Sequence, residues 1–321
     1  MPPKPFFPPK HVPLKKRPIP HVKHLIAVSS GKGGVGKSTL ATNLAFALAL
    51  RKERPSVGLL DLDVFGPSLP TLLGLLGGKG KGKGKGTEES EEEDFLKAQV
   101  TPSGALKPLT AHGLPIMSMG FLVPPGAPIV WRGLMVQKAI QQLLFDVDWS
   151  SSNGGLDILV MDLPPGTGDV PLSLAQLVSL DGSIIVSTPQ DLSLADVRKG
   201  INMFKKLEVP ILGMVLNQAY YQCPTCVEPK KQYIFGAFPS FSSLLFSFLR
   251  EEIIGEPKAF QTLAQDSQIP ILAHLPLIQD VSSSSDSGTP YMLTKPSSHT
   301  SQSWQAGLHD VASKIYSSLY P

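Results

Sequence analysis

The chain has 321 residues, 42% of them apolar, and a formal net charge of only +3. That supplies ample material for a core, while the thin charge and the lack of a basic stripe interleaved with aromatics argue against a nucleic-acid partner. No apolar run reaches the ~18 residues of a membrane span, so no stable membrane insertion is expected.

Residues 1–21 form a basic, proline-rich lead-in containing Lys4, Lys10, Lys15, Lys16 and Arg17, and the first acidic residue of the chain is Glu53. A basic, acid-free N-terminus is part of a mitochondrial presequence, but its prolines oppose the amphipathic helix that such a signal needs. A targeting signal and a disordered lead-in are both open. From residue 22 to 321 the pattern is that of one large domain.

Leu25-Ile26-Ala27-Val28 reads as a strand and Leu40 to Leu50 as a helix, with Gly31-Lys32-Gly33-Gly34-Val35-Gly36-Lys37-Ser38-Thr39 between them. Strand, glycine loop and helix is the context of a phosphate-binding loop. Its glycines let successive N–H groups turn toward a polyphosphate at the positive end of the helix. All nine residues are candidate nucleotide ligands, with Lys37 assigned to the β and γ phosphates and the Ser38 hydroxyl to Mg²⁺. Lys32, directly after the first glycine, is similar to the second lysine of the deviant loop found in dimerising ATPases, where it reaches the partner's nucleotide. In a monomer it would be a solvated loop charge.

Ser56 to Asp63 is a short apolar run ending in carboxylates, as a buried parallel strand would be, and ligands gather at the C-terminal ends of such strands. Asp63 is therefore a candidate to meet the γ-phosphate, its Mg²⁺ or the attacking water. From Gly77 to Asp94 alternating glycine and lysine give way to an acidic run, a disordered surface insertion by composition. Leu106 to Leu109 and Leu114 to Gly120 read as short strands joined at His112-Gly113, where the histidine belongs to a turn. Trp131 to Phe145 carries apolar residues at helical spacing.

Leu156 to Asp162 is a second strand ending in a carboxylate, and Leu163-Pro164-Pro165-Gly166-Thr167-Gly168-Asp169 follows. An Asp so placed in phosphate-loop enzymes holds Mg²⁺, and the adjoining loop senses the γ-phosphate. Asp162 is thus a candidate metal-shell residue. Gly182 to Ser187 is another strand, Leu194 to Leu207 a helix, and Val209 to Asn217 a further strand. Asn217 is a candidate for a nucleobase edge, because its amide both donates and accepts. If these strands share one sheet, the loop, Asp63, Asp162 and Asn217 converge on one crevice.

Cys223-Pro224-Thr225-Cys226 holds the only two cysteines of the chain. A disulfide scaffold is disfavoured, and a metal or redox role for the pair is the better reading. Four thiolates are usual for a tetrahedral zinc or a [4Fe–4S] cluster, so a two-fold dimer would complete the set. A redox pair and a structural zinc are the alternatives. Ala237 to Pro257 is an odd Ser/Phe/Leu-rich piece, followed by a helix at Ala259 to Gln265 and a strand at Ile269 to Leu275. Ser282 to Ser303 reads as loose. A final helix carries Trp304, Leu308, Val311, Ile315 and Leu319 on one face, and with Lys314 as its only lysine or arginine that face suits protein packing better than an anionic membrane.

Several ordered strings resemble the Mrp/Nbp family of iron–sulfur carrier ATPases. They are Gly31 to Thr39, Asp61 to Ser68, Met117 to Leu122, Trp131-Arg132-Gly133, Asp162 to Asp169, Thr188 to Asp191, and Cys223-Pro224-Thr225-Cys226 with Ile234-Phe235-Gly236. Trp131 to Val136 with Gln141 to Leu144 is most similar to the mitochondrial Ind-type branch, which supplies [4Fe–4S] clusters to respiratory complex I. The resemblance implies an α/β, doubly wound, mostly parallel sheet with helices on both faces. It further implies a homodimer with a labile [4Fe–4S] cluster bridged by Cys223 and Cys226 of both copies. ATP and Mg²⁺ would govern cluster transfer to apo-proteins in the mitochondrial matrix, the cytosol being the alternative.

In that reading Lys32, Lys37 and Asp63 are the catalytic residues of a slow ATPase, no arginine finger being assignable. Three departures stand out: Gln218-Ala219 where the family has Met-Ser, the insertion at 77–94, and the insertion at 237–257. A rival reading is a positioning ATPase that cycles on a membrane or nucleoid. It shares the deviant loop but has no use for the cysteine pair and would want a basic amphipathic tail.

Overall fold

A computed structural model describes residues 16–64, 66–75, 98–122, 133–151, 154–223, 226, 230–234 and 258–321. The insertions expected at 77–94 and 237–257, most of the N-terminal lead-in, and Trp131-Arg132 lie outside the described residues.

Runs of β-branched and aliphatic residues with no polar alternation form the strands, as they must when both faces of a sheet are covered. β1 (Val22–Ser30), β2 (Val57–Asp61), β7 (Leu156–Asp162), β8 (Gly182–Ser187) and β9 (Ile211–Leu216) are of this kind. Shorter strands are β3 (Gln99–Val100), β4 (Leu106–Lys107), β5 (Leu109–Ala111), β6 (Leu114–Ser118) and β10 (Ile271–His274). Among the described residues the main sheet has eight strands in the order β10-β9-β8-β1-β7-β2-β6-β5, and β3 pairs only with β4. Every pairing in the main sheet is parallel except β5 with β6. That hairpin turns through His112 (φ 49°) and Gly113 (φ 89°), the two left-handed residues a tight hairpin favours. The order changes direction at β1, so the loop after β1 opens at the switch point where α/β sheets bind ligands.

The helices are α1 (Lys37–Ala49), α2 (Leu69–Leu72), α3 (Gly133–Phe145), α4 (Asp169–Leu177), α5 (Asp191–Lys206), α6 (Lys258–Ser267), α7 (Gln279–Asp286) and α8 (His299–Leu319). α1 is buried on every side from Leu40 to Leu48, Thr42 and Asn43 included. In α8, Trp304, Leu308, Val311 and Ile315 are buried, and Leu319 packs partly buried against the core. The helix's Lys314 donates to the Leu272 carbonyl at 3.0 Å and pairs with Asp310. Its apolar face is therefore covered by the domain itself.

Two expectations are corrected. The Ser-rich stretch 282–303 is ordered rather than loose, because its hydroxyls turn back on the backbone: Ser285 bonds Val281 at 2.7 Å and Ser287 bonds Ser284 at 2.8 Å. The Ser298 hydroxyl caps α8 through the Ser301 N–H. The domain also begins before residue 22. Arg17 N–H bonds the Leu177 carbonyl at 2.8 Å, its guanidinium stacks on Phe145, and Ile19 is buried.

Candidate nucleotide and metal site

Gly36 closes the phosphate loop in the left-handed region (φ 81°) and begins α1. No side chain caps α1 and no acidic residue stands in its first turn, so its positive end is left for an anion. Three neighbours hold the loop. A Cβ on Gly31 would lie 2.5 Å from the Asp196 carbonyl carbon and 2.6 Å from the Val197 nitrogen, so only glycine lets the loop lie against α5. The Gly166 N–H, from the loop after β7, bonds the Ser30 carbonyl at 2.8 Å. The Asn217 side-chain amide donates to the Val35 carbonyl at 2.9 Å.

The two lysines of the loop differ completely. Lys32 is exposed, whereas Lys37 is buried with its ammonium on Asp162 Oδ1. Asp162 is fully buried. Burial pushes its carboxyl up, while the Lys37 ammonium and the Ser38 hydroxyl pull the other way. Its second oxygen, Oδ2, is buried with no hydrogen-bond partner in the structure. Such an atom costs about 1–3 kcal/mol unless something completes it. A hard cation or its water beside Ser38 is the chemistry that fits oxygen donors of this kind.

Asp63 lies just past β2, accepting the Gly66 N–H at 3.3 Å, and near enough to Asp162 for its charge to raise that carboxyl. Asp61, which the sequence reading gave no role, is the more deeply placed carboxylate. It sits in register beside Asp162 and Ser118 on the neighbouring strands and accepts the Ser118 hydroxyl at 3.0 Å and the Asp63 N–H at 2.9 Å. Burial and then the Asp162 charge push it up to about 7. The available signal was the strand-end serine in Met117-Ser118-Met119, a donor waiting for an acceptor one strand away. Asn217 reaches the loop, where its side-chain amide donates to the Val35 carbonyl.

The phosphate loop, Asp63, Asp162 and Asn217 thus all follow or end strands of one sheet, at the C-terminal ends of those strands. Beyond Asn217, Tyr221 and Gln232 exchange two backbone bonds of 2.8 Å, tying together the ends of the segment that carries the cysteines. Cys226 is exposed and Cys223 half-buried. A hydrogen bond to Cys223, with the charge of that neighbour, pushes the Cys226 thiol up. Among the described residues no group of three or more His, Cys, Asp and Glu stands in metal-binding geometry.

The family model for the NUBPL iron-transfer P-loop NTPase, of the ParA group, matches residues 21–243. The chain belongs to this family. The NUBPL-family match agrees with the motif resemblance and spans both the phosphate loop and the cysteine segment. The iron–sulfur cluster transfer protein NUBPL of Mus musculus is 42% identical over 304 residues, 95% of this chain and 81% of the mouse protein. An iron–sulfur protein of Arabidopsis thaliana required for NADH dehydrogenase, mitochondrial, is 40% identical over 298 residues, 93% of this chain and 79% of that protein. Among solved structures, a nucleotide-binding protein from Archaeoglobus fulgidus in complex with ADP is 35% identical with a TM-score of 0.60. It covers 84% of this NUBPL-family chain and 88% of its own.

Proposed function

We propose that the chain is an ATP-dependent carrier of iron–sulfur clusters. It holds a [4Fe–4S] cluster between two copies of itself and delivers it to apo-proteins, complex I subunits among them, in the mitochondrial matrix. The observation that carries this reading is the Cys223 and Cys226 pair, one half-buried and the other exposed, on the segment that follows Asn217, which touches the phosphate loop. One chain offers half of a four-thiolate site, and a two-fold axis supplies the rest. The names of the mouse and Arabidopsis relatives support cluster transfer, complex I and the mitochondrion.

In this reading Lys37 leaves Asp162 for the β and γ phosphates, exposed Lys32 crosses to the partner's nucleotide, and Asp63 orients the attacking water. Ser38 and Asp162 would hold Mg²⁺, which neutralises charge on the phosphates. Hydrolysis is slow, and closure of the dimer alters the cysteine seam. The basic tail that the positioning ATPase wants is not supplied by α8, whose apolar face is buried.

The test is anaerobic reconstitution with iron and sulfide, read by metal content and mass. The carrier reading expects about four irons per dimer, lost in Cys223→Ser. Zinc retained in place of iron overturns it in favour of a structural metal. Equal cluster-transfer rates for wild type and Lys37→Ala in the presence of ATP would remove nucleotide from the mechanism.

A further inference from the structure

Three neighbouring strands end in polar residues that stand side by side. Register places Asp61 of β2 between Asp162 of β7 and Ser118 of β6, and all three are fully buried. Lys37 pairs with Asp162 at one end of this row, and Ser118 closes the other. A hydroxyl buried at the end of a core strand costs stability unless it is hydrogen-bonded. The Ser118 hydroxyl donates to Asp61 Oδ2 at 3.0 Å and accepts the Gly120 N–H at 3.0 Å.

Asp61 turns its other oxygen to the chain that follows it. Oδ1 accepts the Asp63 N–H at 2.9 Å, the side-chain-to-backbone bond of an Asx turn, and so sets the direction in which residue 63 leaves the strand. Where the loop returns, the Leu69 N–H stands 3.5 Å from Oδ2, a long and weak contact. Of the two donors to Oδ2, the Ser118 hydroxyl is therefore the one that fixes the rotation of the Asp61 carboxyl group. The same serine also braces the far side of the loop. Its bond to the Gly120 N–H caps the turn Met119–Phe121. A Cβ on Gly120 would lie 2.8 Å from Pro70 Cγ and 3.2 Å from Pro67 Cβ, so that turn lies directly against the returning end of the loop. One hydroxyl thus meets the loop twice, through Asp61 at its start and through Gly120 at its end.

We propose that Ser118 is a positioning residue for ATP hydrolysis: through Asp61 and Gly120 it holds the loop between β2 and α2 so that the Asp63 carboxylate is presented to the attacking water. Ser118 acts only through these other residues. The inference rests on the role given to Asp63 in the carrier reading, but neither the cysteines nor a cluster enters it.

The test uses cluster-free, reduced protein in four forms: wild type, Ser118→Ala, Asp63→Ala and the double variant. ATP cleavage is followed in single turnover with protein in excess and Mg²⁺ present, ADP affinity by calorimetry, and amide exchange across residues 62–69 by mass. In Ser118→Ala the cleavage rate is expected to fall on the order of tenfold or more, the scale of a displaced reacting group. ADP affinity stays within about twofold, because the loss falls on the chemical step and not on binding. Exchange across 62–69 is faster than in wild type, and exchange across 31–37 is unchanged. In the Asp63→Ala background Ser118→Ala lowers the rate no further, a non-additivity that a general loss of packing does not produce.

A Ser118→Ala protein that cleaves ATP at the wild-type rate overturns the proposal. So does a further loss by the same factor in the Asp63→Ala background, which would reduce the serine to a packing residue. Unchanged exchange across 62–69 overturns the bracing of the loop even where cleavage falls. A wild type that cleaves no ATP, or an Asp63→Ala protein that cleaves it as fast as wild type, removes the role of Asp63 and the proposal with it. Failure of the carrier reading shows instead as missing iron on reconstitution, with ATP cleavage untouched.

Discussion

Alanine placed at single glycines of the phosphate loop tests the site's architecture most directly, because the structure assigns each position a different cost. At Gly31 the added methyl meets backbone atoms of α5 at 2.5 and 2.6 Å, and backbone cannot step aside as a side-chain tip can. Overpacking of this kind costs about 1–3 kcal/mol. At Gly36 two penalties combine: the left-handed φ of 81°, at about 1–2 kcal/mol, and the collision with Asn217. At Gly33 the nearest atom is Pro165 Cγ at 3.8 Å, ordinary contact, so alanine is tolerated within about 0.5 kcal/mol. Urea unfolding of the nucleotide-free protein separates Gly31→Ala and Gly36→Ala, both destabilised, from Gly33→Ala, near wild type. ADP calorimetry on the same proteins shows whether the destabilised loops also bind less. A Gly31→Ala protein as stable as wild type, or a Gly33→Ala protein as damaged as Gly36→Ala, refutes the bracing described here.

Leu308→Ala removes a fully buried side chain from the face of α8 that covers the domain and is expected to cost about 2–5 kcal/mol in denaturant unfolding. Asp157 supplies a test by pH. Burial pushes its carboxyl up, but the Lys23 ammonium and the Ser56 N–H outweigh this and hold it below its ordinary value. A depressed carboxyl contributes stability above its unfolded pKa of about 3.9 and loses it as pH falls through the folded value. Asp157→Asn should therefore flatten the acid limb of the stability curve below about pH 4 by less than about 1 kcal/mol, the pair being partly exposed. Urea midpoints across that range measure it.

The parallel core was legible because strands buried on both faces carry long aliphatic runs: the bounds of Leu156–Asp162 and Gly182–Ser187 follow from composition alone. Strand-end carboxylates were legible for the same reason, since a polar residue stops such a run. Less legible was α4, which begins inside the Gly-Asp end of a loop and carries Pro171 in its first turn. Proline there costs nothing, because that N–H has no intrahelical partner, yet in sequence it reads as a breaker. The serines of α7 misled in the same way. Hydroxyls that favour loops when solvated are satisfied here by local carbonyls. Asp61 was hidden because its partner Ser118 lies 57 residues away, and only the register of β2 against β6 brings them together.

The buried charges of the site make nucleotide and metal interdependent. One ammonium, Lys37, serves a pocket that also holds Asp61 and Asp162, all three nearly or wholly excluded from solvent. If a polyphosphate draws Lys37 away from Asp162, that carboxylate loses this ionic partner, and breaking a buried pair from one side costs about 3–5 kcal/mol. A divalent cation entering with the nucleotide offsets that cost, and Asp162 Oδ2, buried without a hydrogen-bond partner, has the acceptor capacity for it. ADP should thus bind at least about tenfold more weakly in excess EDTA than with Mg²⁺, a coupling of about 1.4 kcal/mol. In Asp162→Asn, which keeps the shape and removes the charge, most of that dependence should vanish. Calorimetric titrations of ADP into both proteins, with metal and with chelator, decide the matter. ADP affinity in wild type that ignores Mg²⁺ would mean that Lys37 never leaves Asp162, and the phosphate role assigned to that lysine would fall with it.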